Sequence, residues 1–259
     1  MIPTLTACII TYNEEDNIAR CLESLDFVEE IILLDSGSKD KTTEIASNFS
    51  KVKIHTRAFD NYVSQKNFCL SLSKNNWIIF LDADEVISPE LKKEILSIPD
   101  FNWDYFSGFE IPRLTFYLNK WIHHGGWYPN YQLKLFNKSK GYFTGLLVHE
   151  KVKLEGESKK LKSPLFHYSY KNISDHLKFI DRYSSLAAEE KFNKGKKSGI
   201  ILSVGKSFYK FIYMYFVKFG ILDGKAGLVI AILGSYYNFL KYIKIYELSI
   251  YKEKKSGNR

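Results

Sequence analysis

Cysteine is scarce in this 259-residue chain. Cys8, Cys21 and Cys69 are odd in number and show no Cys-x-x-Cys spacing. Cys8 and Cys69 lie in apolar contexts suited to buried thiols, which argues against a disulfide framework and for a reducing compartment. No basic segment leads into an apolar signal core, because Thr4 to Thr11 is short and Glu14 and Glu15 soon follow. The protein is expected in the cytoplasm or on the inner face of the cytoplasmic membrane. Neither a Gly-x-Gly-x-x-Gly fingerprint nor a Gly-x-x-x-x-Gly-Lys-Ser/Thr loop occurs, which disfavours dinucleotide and Walker-type phosphate binding. A membrane span needs about 18–20 apolar residues with few charges, and neither Ser203–Leu222 nor Ile221–Leu240 supplies them cleanly.

What is present describes an ordinary folded protein, with 45% hydrophobic and 25% charged residues. Its charge is unevenly placed. From Lys191 onward there are 14 basic and 3 acidic residues, against a net charge of +8 for the whole chain, so residues 1–190 are net negative. The basic excess belongs to the tail, and no nucleic-acid module accompanies it; nucleic acid is not an expected partner.

The segment Trp77-Ile78-Ile79-Phe80-Leu81-Asp82-Ala83-Asp84-Glu85 is the most informative in the chain. An apolar run of β-formers ends in three carboxylates. Such acids suit a hard divalent cation, Mg²⁺ or Mn²⁺, and the Asp-x-Asp spacing would point Asp82 and Asp84 the same way from an extended segment. The plainer alternative is a strand followed by an acidic helix start at Ser88-Pro89-Glu90. Upstream, strands are expected at Leu5–Thr11, Val28–Leu34 and Val52–His55. Helices are expected at Glu15–Leu25, to about Ser47, and at Tyr62–Ser73. Alternation of this kind predicts βαβ units, a mostly parallel sheet, and all strand-end loops on one edge. Those loops carry Thr11, Asn13 and Glu14, then Asp35 and Ser36, then Asp82 and Asp84. The acids make sense if some bind ribose hydroxyls and a base N–H while a metal bridges the rest to a diphosphate. Asp35 alternatively caps a helix or forms a turn.

The motifs Thr6-Ala7-Cys8-Ile9-Ile10-Thr11-Tyr12-Asn13-Glu14-Glu15, Leu34-Asp35-Ser36-Gly37-Ser38-Lys39-Asp40-Lys41-Thr42 and Leu81-Asp82-Ala83-Asp84-Glu85 resemble glycosyltransferase family 2, of the GT-A fold. The resemblance implies an α/β, Rossmann-like mostly parallel sheet, a nucleotide-sugar donor, usually UDP-linked, and inversion at the anomeric carbon. It implies that Thr11, Asn13, Glu14 and Asp35 contact the nucleoside and that Asp82 and Asp84 bind the metal. Lys66 would reach ribose or diphosphate, unless it is a solvated helix lysine.

Farther on, His123-His124-Gly125-Gly126-Trp127-Tyr128-Pro129 reads as a loop. Gly125, Gly126, Trp127 and Tyr128 suit a lid over a sugar or an acceptor contact; the alternative is a turn packed by a core tryptophan. Gln132–Phe136 and Val148–Val152 alternate as strands. Inverting transfer needs a carboxylate to take the acceptor's proton while the metal stabilises the leaving group. The family places a glycine loop ahead of the base and a histidine after it. By that order Glu150 is the expected general base, His167 a diphosphate or metal contact, and His149 its support, with Asp104 and Glu110 as rivals for the base. Phe109–Phe116, the glycine loop and Val148-His149-Glu150 resemble the lipopolysaccharide core β-1,4-glucosyltransferase branch. That implies transfer of a hexose, glucose from UDP-glucose, to a lipid-linked saccharide. Transfer to polyprenyl phosphate and a catalytically inactive nucleotide-sugar sensor are the alternatives.

The tail divides into a helix over Ser174–Phe192, a polar break at Lys194–Gly199, and an aromatic, lysine-punctuated stretch over Ser203–Leu222. Lys206, Lys210 and Lys218 fall within roughly 120° of one another on a helical wheel. One lysine face and one aromatic face fit the interface of an anionic bilayer. A hairpin packed on the catalytic part, or a dimer contact, is the alternative. The expected division is a catalytic domain over 1–170 and a membrane-associating extension over 171–259.

Overall fold

The computed structural model describes residues 2–145 and 151–256, with side chains to residue 251. The chain forms two compact units, residues 1–115 with 129–169, and residues 116–128 with 170–259. Residues 116–128, which hold the glycine loop, thus belong with the C-terminal helices.

The first unit begins as the apolar runs require. β1 (Leu5–Thr11), β2 (Glu30–Asp35), β3 (Val52–Thr56) and β4 (Trp77–Asp82) alternate with α1 (Ile18–Glu23), α2 (Thr42–Ser47) and α3 (Tyr62–Leu72). β2 is buried at every position, as a central parallel strand covered on both faces must be. The second half adds β5 (Glu85–Ile87), α4 (Pro89–Leu96), α5 (Asp100–Tyr105), β6 (Gly108–Tyr117), β8 (Asn130–Asn137), β9 (Gly141–Thr144), β10 (Lys151–Leu154), β11 (Ser158–Lys160) and β12 (Leu165–His167), while β7 (Lys120–Ile122) falls within the residues of the second unit. The strand order is β3-β2-β1-β4-β8-β6-β12-β5, with β9 and β10 in a separate hairpin. β1 through β4 pair in parallel. β8 runs antiparallel to both β4 and β6. The sheet is therefore mixed: parallel from β3 to β4 and where β11 and β12 flank β6, and antiparallel where β8 meets β4 and β6 and where β12 meets β5.

Alternation along β4 sends residues to two cores. Ile79 and Leu81 join the larger cluster with Ile9 and Leu33, while Ile78 and Phe80 join Cys8, Cys69, Phe136 and Phe143 under α3. All three cysteines are buried and free. Gly108 packs where β6 meets β8: a Cβ there would lie 2.8 Å from Leu133 Cδ1, so nothing larger fits without displacement.

In the second unit α6 (Ile173–Asn193), α7 (Ile200–Ile212) and α8 (Gly224–Ser256) pack together. Between α7 and α8 lie a π-helical turn at Tyr213–Val217 and a 3₁₀ turn at Gly220–Asp223. Ser207 and Ser235 each donate a hydroxyl proton to the other's carbonyl, at 2.7 and 2.9 Å. Lys244 ties α8 to α6 through Asp181, Ser184 and Ser185. The π turn interrupts the single helix expected over 203–222. Lys218 caps the turn, and Lys210 and Lys218 both lie over the Tyr213 ring, at 5.7 and 5.6 Å. The helices still exceed the sequence expectation, since Ile200–Val217 and Gly220–Tyr251 are long and apolar enough to cross a bilayer by length and composition. The difference lies in the boundary: ending the first run at Val217 leaves Lys218 outside it.

Candidate active site

The loops after β1 and β2 are pinned to each other. Asn13, at φ +56°, donates its N–H to Ser38 Oγ and accepts from the Lys39 N–H. The Glu14 N–H donates to Thr42 Oγ1 at 2.8 Å, and Glu14 Oε2 accepts from Asn17. Buried Asp35 accepts from the Gly37 and Ser38 N–H groups and from Ser38 Oγ. Asp35 thus forms the turn considered as its alternative role. Thr11 lies beside Asp35 in register, and its buried hydroxyl has no hydrogen-bond partner.

Gln65, one residue before Lys66, escaped the sequence reading. It is fully buried, and its amide nitrogen donates to Ser36 Oγ and to the Arg57 carbonyl. A carbonyl only accepts, so the amide orientation is determined and Oε1 faces away without a partner. Thr11 Oγ1 and Gln65 Oε1 are two buried acceptors at the same sheet edge, suited to a ligand's N–H or O–H groups. Such an atom left unpaired costs about 1–3 kcal/mol.

Extended geometry ends at Asp82, and Ala83 and Asp84 form a turn. The two aspartates consequently engage different partners. Asp82 Oδ1 is 3.4 Å from Lys66 Nζ and Oδ2 is 3.2 Å from Lys134 Nζ. Burial alone would push the Asp82 carboxyl upward. The charges of Lys134, Lys66 and Arg113 instead hold it far below the usual carboxylate range. Lys134 also meets fully buried Glu85 at 2.5 Å, and Glu85 accepts the Asp82 N–H at 3.0 Å. Lys66 is buried in α3 and lies over the rings of Phe80 and Phe143, so it is not a solvated lysine.

Asp84 meets His167, with Oδ2 3.2 Å from Nε2. β12 brings them together: His167 pairs with Thr115 on β6 and with Glu85 on β5, and the Tyr168 N–H donates to the Asp84 carbonyl. On the ring's other side Nδ1 is 3.3 Å from Thr115 Oγ1. The imidazole is thus held at one nitrogen by a hydroxyl and at the other by a carboxylate. A carboxylate and an imidazole fit Mn²⁺ or Mg²⁺ completed by phosphate oxygens and water. Among the described residues no group of three or more His, Cys, Asp or Glu side chains could hold a metal ion.

Glu150 and His149 lie outside the described residues. Of the rivals, Asp104 is exposed on α5, whereas Glu110 on β6 accepts from Ser158 Oγ at 2.7 Å. Within the second unit, the His123 and His124 N–H groups donate to buried Asp223, and the Gly125 N–H donates to the Lys218 carbonyl. Gly125 and Gly126 have positive φ. Trp127 packs against Tyr117, Tyr170 and His176. His123 and Tyr128 meet edge to face.

A parallel βαβ half whose strand ends carry polar and acidic loops is an α/β architecture with its ligand-binding edge at those loops. The chain belongs to glycosyl transferase family 2, whose model matches residues 6–148. An uncharacterised glycosyltransferase of Rickettsia felis is 30% identical over 96% of this chain and 92% of its own. The lipopolysaccharide core biosynthesis glycosyltransferase LpsC of Rhizobium meliloti is 27% identical over 95% of this chain and 94% of its own. Among solved structures, S. aureus TarS 1-349 in complex with UDP has a TM-score of 0.49 at 13% identity, covering 97% of this chain and 92% of that one.

Proposed function

We propose that this protein is an inverting, divalent-metal-dependent hexosyltransferase that takes its sugar, glucose, from UDP-glucose. The acceptor is a lipid-linked saccharide of the bacterial envelope, of the lipopolysaccharide core type. The observation that carries the reading is the Asp84–His167 pair, oriented by Thr115 and adjoining Asp82 at the end of β4. Asp84 and His167 would hold Mn²⁺ or Mg²⁺, which when bound supplies positive charge to the departing nucleoside diphosphate. Asp82, kept ionised by Lys66 and Lys134, is a fixed acceptor for the donor's hydroxyl groups. Thr11 and Gln65 take N–H or O–H groups of the nucleoside. Glu150 accepts the proton of the attacking hydroxyl. The name of the Rhizobium meliloti relative supports the choice of acceptor.

The C-terminal helices support a position on the inner face of the cytoplasmic membrane. Ile201 is 90% exposed and Phe208 67% exposed, and lysines lie against rings, Lys206 on Tyr242 and Lys210 on Tyr213. An apolar surface with cations at its margin suits an anionic interface. The test is incubation of the purified protein with UDP-, GDP- and dTDP-sugars and Mn²⁺. Metal-dependent hydrolysis or binding of a UDP-hexose is expected, and indifference to every donor would refute the reading.

A further inference from the structure

The second unit holds two stretches apolar and long enough to cross a bilayer, Ile200–Val217 and Gly220–Tyr251. They are not the core helices of a water-soluble bundle, because only 11% and 22% of their apolar windows is buried. On α7 the exposed Ile201, Val204 and Phe208 share one helical face, and on α8 Leu228, Ile232 and Tyr236 do. Lys194, Lys196 and Lys197 precede these helices, and Lys206 and Lys210 lie on the side of α7 away from Ile201. Apolar faces accompanied by cations match acyl chains beneath anionic headgroups.

A span must place its two ends on opposite sides of the bilayer, and the contacts within this unit hold them on one. α6 carries seven charged residues in 21, with Lys178, Asp181, Arg182 and Glu189 exposed, so it does not enter hydrocarbon. It passes the chain to α7 through the exposed residues Lys194-Gly195-Lys196-Lys197, which keeps the start of α7 on the side of α6. The other end of α7 is tied back to α6 by residues 123–127. Buried Asp223 accepts the His123 and His124 N–H groups, the Lys218 carbonyl accepts the Gly125 N–H, and Trp127 packs on His176 of α6. α8 starts at this same turn, and its Lys244 Nζ lies 2.7 Å from Asp181 Oδ1 of α6. The turn and Lys244 are therefore both on the side of α6. The interior of α7 agrees, since a span would carry Lys206 and Lys210 into hydrocarbon.

We propose that α7 and α8 lie in a single leaflet as an in-plane hairpin, their exposed apolar faces among the acyl chains, and that neither crosses the membrane. The proposal rests on the membrane-surface reading and adds its topology. The start of α7, the turn at Gly220–Asp223 and the Lys244 end of α8 all face the cytoplasm. The glycine loop, bonded to that turn, is held where an acceptor carried by a lipid of the same leaflet can reach it.

The test is side-specific labelling of the full chain in bacterial cells. Lys197→Cys, Lys218→Cys and Glu247→Cys, each at an exposed position, are treated separately with a membrane-impermeant maleimide, in spheroplasts and in inverted membrane vesicles. Cys8, Cys21 and Cys69 are buried, so the wild type provides the unlabelled blank. All three variants are expected to label in inverted vesicles and none in spheroplasts. Lys218→Cys labelled from the face opposite Lys197→Cys, or Glu247→Cys from the face opposite Lys218→Cys, reveals a span and overturns the proposal. Three independent surface positions keep the test valid should one variant fail to fold. Recovery of the wild type wholly in the soluble fraction, as a monomer or as a dimer with the helices covering each other, would strike the membrane reading itself and the proposal with it.

Discussion

At the scale of single residues, the informative side chains are those whose partners the sequence does not display. Asp82 and Asp84 are visible as a motif, but their separation is not. Lys134 lies 52 positions from Asp82, and only the pairing of β8 with β4 brings it there. Gln65 passes for a helix residue beside a more conspicuous lysine; its buried, unpaired oxygen becomes evident only after folding. Glu150 is the proposed base, and Glu150→Gln is expected to lower kcat by about 100-fold or more with donor affinity retained. Near-normal turnover would identify an acceptor that is already ionised, such as a polyprenyl phosphate. His176 bears on stability. It is buried, stacked on Tyr170 with its Nδ1 2.9 Å from the Tyr117 hydroxyl, and burial holds its pKa down to about 4 from 6.5. Between those values the unfolded chain takes up a proton that the folded chain refuses. Its contribution is therefore complete above pH 6.5 and is lost as pH falls toward 4, by up to about 3 kcal/mol. Denaturant unfolding at pH 7.5 and pH 5 should show a smaller acid loss in His176→Phe than in the wild type; equal losses would remove His176 as the cause.

At the scale of elements, β1, β2 and β4 were legible because buried parallel strands are continuous apolar runs. β5 and β12 were not, being three residues each and stabilised by pairing rather than by pattern. Yet β12 makes the site: its register between β6 and β5 sets His167 against Asp84 and Thr115. Thr115→Val retains the shape of the strand and removes the hydroxyl that orients the ring. A loss of about 10–100-fold in metal affinity or activity is expected, as for other outer partners of metal-bound histidines. Mn²⁺ titration of turnover checks this, and a wild-type response would leave Thr115 with no orienting role. Beyond the catalytic unit, the change from α-helix to π turn at Tyr213 had no signal in the hydrophobic pattern. Tyr213–Val217 is apolar and aromatic throughout, so no polar residue marks the turn.

At the scale of the whole molecule, charge and apolar exposure divide as the composition foretold. The basic excess lies in the C-terminal helices, where Ile200, Ile201, Phe208, Phe219 and Leu222 are exposed. Co-sedimentation with vesicles containing anionic phosphatidylglycerol should exceed that with neutral phosphatidylcholine and fall as salt rises. Replacing Lys206, Lys210 and Lys218 with glutamine should cost about 1 kcal/mol of membrane affinity per lysine. Equal sedimentation with both lipids would exclude an electrostatic contribution. The grouping of residues 116–128 with these helices was not legible, because the strand β6 runs unbroken through the boundary between the two units.

The most direct measurement is UDP affinity with and without Mn²⁺, in the wild type and in Asp84→Asn and His167→Asn. Tighter UDP binding on addition of Mn²⁺ is expected for the wild type, with the gain abolished in both variants. UDP affinity indifferent to Mn²⁺ in the wild type, or a metal response that survives both substitutions, would contradict the account.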